Sequence, residues 1–166
     1  ELHRHDYFYI LALKKGKGNH EIDFTSYQVR NYSVFFMRPG QVHQLKLKAK
    51  STGYLMQFKS GFYYPNDKAS GQLLRKASNK NLCPLDAKKF KKLLSILTYI
   101  FQEYTNKQEG YQEVIKANLG IFFIELVRHR QNHQSPSNNA NTYSLERLEA
   151  FLELLELYVF KHKHVS

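Results

Sequence analysis

Apolar positions in this 166-residue chain change their period part-way along it. Up to about residue 60 they form short runs or alternate with polar residues; after Pro84 they recur three and four apart. Residues 7–13 (YFYILAL) are an aromatic and aliphatic run of strand length. The stretch 14–19 (KKGKGN) is a glycine-bearing turn, and 21–24 and 26–30 are short strands around a tight connection. The run Val34-Phe35-Phe36-Met37 ends at Pro39-Gly40, where a fixed φ is followed by a residue free to take φ > 0, which is turn chemistry. From His43 the pattern alternates strictly. Leu45, Leu47 and Ala49 share its face, while Gln44, Lys46, Lys48 and Lys50 take the other, so His43 starts on the parity of the core. Residues 53–59 form one more strand. Short strands separated by turn signals predict a small sandwich or barrel.

Residues 63–84 read as an irregular connector, with a turn at Tyr64-Pro65-Asn66-Asp67 and at most a helical turn over 71–76. Asp86 is a candidate N-cap for a helix to about residue 105. Phe90, Leu93, Leu94, Leu97, Ile100, Phe101 and Tyr104 form its apolar stripe, opposite Lys88, Lys89, Lys92, Gln102 and Glu103. A second helix spans about 111–129 and is apolar almost all round over 119–127, which predicts contacts on two sides. Polar residues 131–141 (QNHQSPSNNAN) mark a linker. A third helix over 144–161 carries the stripe Leu145, Leu148, Leu152, Leu155 and Val159, widened by Phe151, Leu154 and Tyr158, and needs a further partner. The fold class is α+β.

Composition refines this picture. With 42% hydrophobic residues, 12 Tyr and 12 Phe, the chain can build a sizeable core. A single cysteine, Cys83, allows no internal disulfide and fits a reducing compartment; it reads as a packing residue. No signal peptide opens the chain and no apolar stretch reaches bilayer length, so a cytoplasmic location is expected. The net charge of +11 is concentrated in residues 1–100, which hold 18 Lys and Arg against 6 Asp and Glu. These lysines alternate with core residues, the pattern of a solvated sheet face, so any nucleic-acid binding by this stretch is expected to be weak and salt-dependent.

Alternation along one first strand places His3, His5, Tyr7 and Tyr9 on a common face, and that face meets His43 if it points into the barrel. Three readings stand side by side: a three-imidazole metal site for Zn, Fe or Cu, polar groups lining a small-molecule pocket, or histidines capping a barrel mouth. Phe36 is a candidate for the pocket wall. Arg38, on the same parity, is a candidate partner for an acidic ligand group or else an exposed rim arginine. His20, His129, His133, His162 and His164 read as solvated. No G-x-S-x-G, phosphate loop or supported nucleophilic cysteine is present, so no catalytic residue is assigned.

His3-Arg4-His5 followed by a glycine turn, and Pro39-Gly40-Gln41-Val42-His43, resemble the two motifs of the cupin β-barrel. More specifically, HRHDYFYILALKKGKGNHEIDF and NYSVFFMRPGQVHQL resemble the N-terminal sensor domain of AraC-type transcription regulators. LERLEAFLELLELYVFKHKHVS is similar to the first helix of their DNA-binding domain. The resemblance implies a jelly-roll, cupin-like barrel over 1–62, the connector 63–84 and a helical hairpin over 85–132. A linker over 133–142 and the first helix of a DNA-binding domain over 143–166 would follow, with the helix-turn-helix units lying beyond Ser166. It implies a small-molecule effector bound by His3, His5, Tyr7, Tyr9, Phe36, Arg38 and His43. It also implies a homodimer, for which the helix after Asp86 is the candidate contact through Phe90, Leu94, Leu97 and Phe101. DNA would be a partner only through the missing domain, and neither a membrane partner nor a cofactor is expected. Metal-binding cupins carry a Glu a few residues after H-x-H, where this chain has Tyr9 and Ile10. That departure weighs against the alternative, a metal-dependent small cupin isomerase or dioxygenase, and leaves His3, His5 and His43 as the ligands if a metal binds.

Overall fold

The computed structural model describes residues 1–133 together with Arg147 and Phe151. Two compact units divide the chain, Glu1–Arg130 and Gln131–Ser166. The linker expected at 133–142 and the helix expected at 144–161 lie, but for His133, Arg147 and Phe151, outside the described residues.

Among the described residues, eight strands form two antiparallel sheets of four. The first has the order β1 (His3–Arg4), β6 (Val42–Leu47), β3 (Gly18–Ile22), β4 (Thr25–Val29). The second has the order β7 (Thr52–Phe58), β2 (Phe8–Lys15), β5 (Ser33–Met37), β8 (Leu82–Pro84). Helices α1 (Lys68–Ser78), α2 (Ala87–Asn106) and α3 (Tyr111–Asn132) cover the outer face of the second sheet.

The second sheet is thus a middle layer, and its sequences show it. Tyr9, Leu11 and Leu13 of β2 pack with Phe35, Ile22 and Val29 between the sheets, while Ile10 and Ala12 pack with Phe90, Leu97, Phe122 and Phe123 toward the helices. A strand buried on both faces reads as a continuous apolar run, as β2 and the wholly buried β5 do. β6 alternates in sequence, but its burial alternates only over Val42–Gln44: Leu45 is half-buried and Leu47 and Ala49, expected on the core face, are exposed because the strand runs out beyond the barrel at Leu47.

Glycine permits close strand approach at Gly18, where a Cβ would lie 2.0 Å from the Lys46 carbonyl oxygen, and at Gly53. The β2–β7 register shifts between Leu13 and Lys15, opposite Gly53, and a Cβ there would lie 1.9 Å from the Ala12 carbonyl oxygen.

Two expectations need correction. The stretch 63–84 is not an irregular connector: it holds the three-turn helix α1, capped by Asp67 accepting from the Ser70 N–H, and β8, which pairs with β5. β8 is three residues long, too short to display a period, and α1 has only Leu74, Ala77 and Ser78 fully buried. Nor do residues 3–9 form one strand. The chain leaves the first sheet after Arg4, bends at Asp6 and Tyr7, and enters the second sheet at Phe8.

Helix α2 starts where its cap predicts, with the Asp86 carboxylate accepting from the Lys89 N–H at 2.8 Å. Phe90, Leu93, Leu97 and Ile100 are buried against the middle sheet, whereas Phe101 and Tyr104 stand in solvent. Of the proposed dimer contacts, Phe90 and Leu97 therefore belong to the chain's own core, Leu94 is half-buried and Phe101 is exposed. In α3, Leu119, Phe122, Phe123 and Leu126 are buried, while Ile121 and Ile124 remain exposed.

Candidate functional site

His43 occupies the second position of β6 and points between the sheets, only 1% exposed. The turn before it is held from several sides. Gly40 takes a left-handed φ of 88° and its N–H donates to the His5 carbonyl at 2.8 Å, tying this turn to the crossing between β1 and β2. Gln41 is buried and joins Asp23 (2.7 Å) and Asn81 (2.8 and 3.2 Å), while Asn81 donates to the Phe36 carbonyl and Asp23 accepts from the Val42 N–H. The start of β6 is thereby fixed relative to both sheets.

On one side of His43 lies His3, its partner in the β1–β6 register; on the other lies β3. The rings of His43 and His3 are 4.3 Å apart, those of His43 and His5 5.1 Å, and those of His3 and His5 4.7 Å. Tyr7 stacks on His5 at 4.5 Å, and Tyr9 meets His43 edge-on at 5.1 Å. The fold therefore brings His3, His5, Tyr7, Tyr9 and His43 together as expected, although by a sheet crossing and not by alternation along one strand.

Phe36 and Arg38 do not join them. Phe36 faces the helices, stacking on Phe123 at 5.5 Å, because β5 turns its odd-numbered residues between the sheets and its even-numbered ones outward. Arg38 is exposed beyond the end of β5.

The residue missed was His20, read from sequence as solvated. It is fully buried, its Nε2 lies 2.9 Å from Nδ1 of His43, and its ring meets Phe35 edge-on at 4.7 Å. The signal was present: His20 shares strand parity with Ile22, a core residue. His129 was also read as solvated, but it is half-buried and its Nε2 lies 3.1 Å from the Pro84 carbonyl. His133 is exposed, and His162 and His164 lie outside the described residues.

Burial decides the charge state of this cluster. It pushes His20 down to about 3 and His43 down to about 4, with the neighbouring imidazoles adding to the effect. His5 is lowered too, by burial and by His3. The same burial pushes the Tyr9 phenol up to about 12. At neutral pH His20 and His43 are therefore neutral imidazoles and Tyr9 a neutral phenol. His43 Nε2 and His20 Nδ1 are buried and have no hydrogen-bond partner, and buried polar atoms without partners call for an explanation. An open surface depression of about 500 Å³ is lined by Arg4, His5, Asp6, Pro39 and Gly40, with His5 the residue it shares with the cluster.

Residues 1–85, which end just after β8, match the AraC-like ligand binding domain. The chain belongs to that family. Its two four-stranded sheets are the cupin-like fold of this domain, and the barrel runs on to residue 84 through β8. The AraC-like domain is a regulatory ligand-binding module, which argues against an enzyme. No curated protein matches the chain. No helix among the described residues is long and apolar enough to cross a membrane.

A second concavity, a groove of about 580 Å³, lies between β7, α2 and α3 and is walled by Tyr54, Met56, Phe58, Leu97, Phe101 and Ile115. Sequence reasoning gave no hint of it, since its walls come from three elements. It is mostly apolar, with Gln57, Lys59 and Gln112 also on its lining, and lies on the helix-facing side of the middle sheet, whereas the histidines lie between the sheets.

Proposed function

We propose that this chain is the effector-sensing and dimerisation part of an AraC-type bacterial transcription regulator acting in the cytoplasm. Its effector would bind between the sheets against His3, His5, Tyr7, Tyr9 and His43. The observation that carries the reading is the pair of buried, unpartnered ring nitrogens, His43 Nε2 and His20 Nδ1, between the sheets beside the aromatic rings of Tyr7 and Tyr9. A few polar atoms set in aromatic walls are the composition of a small-ligand site.

Binding at the mouth would act on the β5–β6 turn, the element that Gln41 and Asn81 tie to the rest of the domain, and so shift the balance between conformations. DNA would be engaged through a helix-turn-helix domain further along the protein. The homodimer contact is proposed for the exposed part of α2, Leu94, Phe101 and Tyr104, since Phe90 and Leu97 are committed to the core.

Thermal-shift screening of the purified chain against metabolites and metal ions tests the pocket, with His5→Ala as the control variant. A ligand whose stabilisation is lost in His5→Ala supports it. Ligands that stabilise wild type and variant equally would sink it.

A further inference from the structure

Three connections cross between the two sheets at the end of the barrel away from His43: residues 16–17, 30–32 and 48–51. Hydrogen bonds gather them. The Lys48 N–H donates to the Lys17 carbonyl at 2.8 Å, the Tyr32 N–H to the Leu13 carbonyl at 2.8 Å, and the Gly16 N–H to the Asn31 side-chain oxygen at 2.9 Å. Gly18 stands in register with both Val29 and Leu47, and Lys15 with Thr52. The three turns therefore form one surface, about 13 Å along β6 from His43.

That surface carries seven exposed cations: Lys14, Lys15 and Lys17 at the first turn, Arg30 at the second, and Lys46, Lys48 and Lys50 at the third. No Asp or Glu occurs from residue 24 to residue 66. Two carboxylates approach from neighbouring segments. Glu21 lies three residues along β3 from Gly18. Asp86 follows Leu85, whose N–H donates to the Tyr32 carbonyl, but its carboxylate is engaged by the Lys89 N–H and ammonium. Among the described residues, none of the seven cations is in an ion pair. The lysines of 46–50 are thus not the outer face of a sheet whose other face is core, since Leu47 and Ala49 between them are exposed as well.

We propose that this end of the barrel binds the phosphate backbone of duplex DNA without reading its sequence. Six of the seven cations are lysines, compact point charges on flexible stems that follow a row of phosphates; planar carboxylate recognition favours arginine. The turns offer no aromatic platform for unstacked bases, because Tyr32 is half-buried against Phe90 at 5.6 Å, which selects duplex over single strands. Leu47 is the one large apolar side chain exposed among these turns, too little to anchor a membrane interface. The cellular role rests on the reading of the chain as part of a DNA-bound regulator. A helix-turn-helix domain holding its site would present flanking duplex to the sensor domain at high effective concentration, so a weak contact suffices.

The test follows the fluorescence anisotropy of a labelled duplex of about 30 base pairs and arbitrary sequence, titrated with the full chain at 50 to 200 mM salt. Neutralising about five phosphates gives a slope of about −4.5 in log K against log salt, roughly a 500-fold loss over that range. The triple variant Lys46→Gln, Lys48→Gln, Lys50→Gln should flatten the slope by about 2.7. The control Lys68→Gln, Lys76→Gln, Lys80→Gln removes the same charge from exposed positions in and after α1, near the other end of β5, where Asn81 meets the Phe36 carbonyl. It should leave the slope unchanged. Equal losses in the two variants would reduce the effect to net charge and overturn the site, as would no binding at 50 mM salt. Polyglutamate or phosphatidylserine vesicles bound as tightly as the duplex at equal salt would overturn the assignment to DNA. Neither triple variant touches His3, His5 or His43, so the effector test with His5→Ala stands or falls separately.

Discussion

Nε2 of His20 lies 2.9 Å from Nδ1 of His43, and both rings are buried between the sheets. A neutral pair shares one proton across that contact; protonating the accepting nitrogen as well would set two N–H groups against each other and place a cation away from water.

Acid stability follows from this. Unfolded imidazoles titrate near 6.5, while folding lowers His20 to about 3 and His43 to about 4. Between those values the unfolded chain binds more protons than the native one, so the rings' contribution is complete above pH 6.5 and is lost as pH falls toward 4 and below. Each ring adds a slope of about 1.4 kcal/mol per pH unit, roughly 2.7 for the pair. Urea unfolding of the metal-free chain between pH 7.5 and 5 measures it, and a flat profile would mean that the rings are solvated.

The amide pair of Gln41 and Asn81 makes a second prediction. Asn81→Ala strips donors from the Phe36 carbonyl and from Gln41 in a part-buried junction, at a cost of roughly 1–3 kcal/mol. The same variant should weaken ligand binding at the mouth, because this junction fixes the turn before His43. A variant as stable as wild type in urea would show that water replaces the pair.

Arg130 closes the end of α1. Its guanidinium donates to the carbonyls of Lys76, Ala77 and Lys80 and to the Asn79 side chain, at 2.7–3.2 Å. Helix carbonyls at a C-terminus lack intrahelical partners. Arg130→Lys keeps the charge and loses the planar fork, so it should cost roughly 1–3 kcal/mol, seen as a lower urea midpoint. Full retention of stability in the lysine variant would rule out the fork as the stabilising feature.

The hairpin between β3 and β4 turns on two residues, Asp23 (φ 47°) and Phe24 (φ 64°), the sign pattern of a type I′ turn. Phe24 holds this left-handed backbone with a side chain 81% exposed, which returns little for the strain. Phe24→Gly should be neutral or stabilising by up to about 1 kcal/mol. Phe24→Pro, locked near φ −65°, should be clearly destabilising. Thermal melts of the two variants decide, and the reverse order would refute the strain.

Phe90 and Phe101 share one helix stripe and should behave differently. Phe90 is 1% exposed, so Phe90→Ala should cost about 3–5 kcal/mol. Phe101 is 54% exposed, so Phe101→Ser should cost little stability and instead weaken self-association in sedimentation velocity. A monomeric wild-type chain at micromolar concentration would remove α2 as a dimer contact.

Local chemistry made much of this protein readable from its sequence. Asp86 as a cap, the 3.6 period of α2, the Pro39-Gly40 turn and the alternation of β6 each depend on neighbours a few residues away. His43 was placed on the core face by parity alone. What the sequence could not decide is which layer each face meets. β5 is apolar at every position, so nothing in it separates Phe35, between the sheets, from Phe36, against Phe123. The crossing at Asp6 and Tyr7 looks like a continued alternation until the strands find partners in different sheets. His20 sits on a polar-looking five-residue strand, GNHEI, and becomes a buried partner of His43 only when β3 pairs with β6. Pairing across 23 residues of chain is a tertiary event, and it turns the histidine of a turn motif into one side of a site.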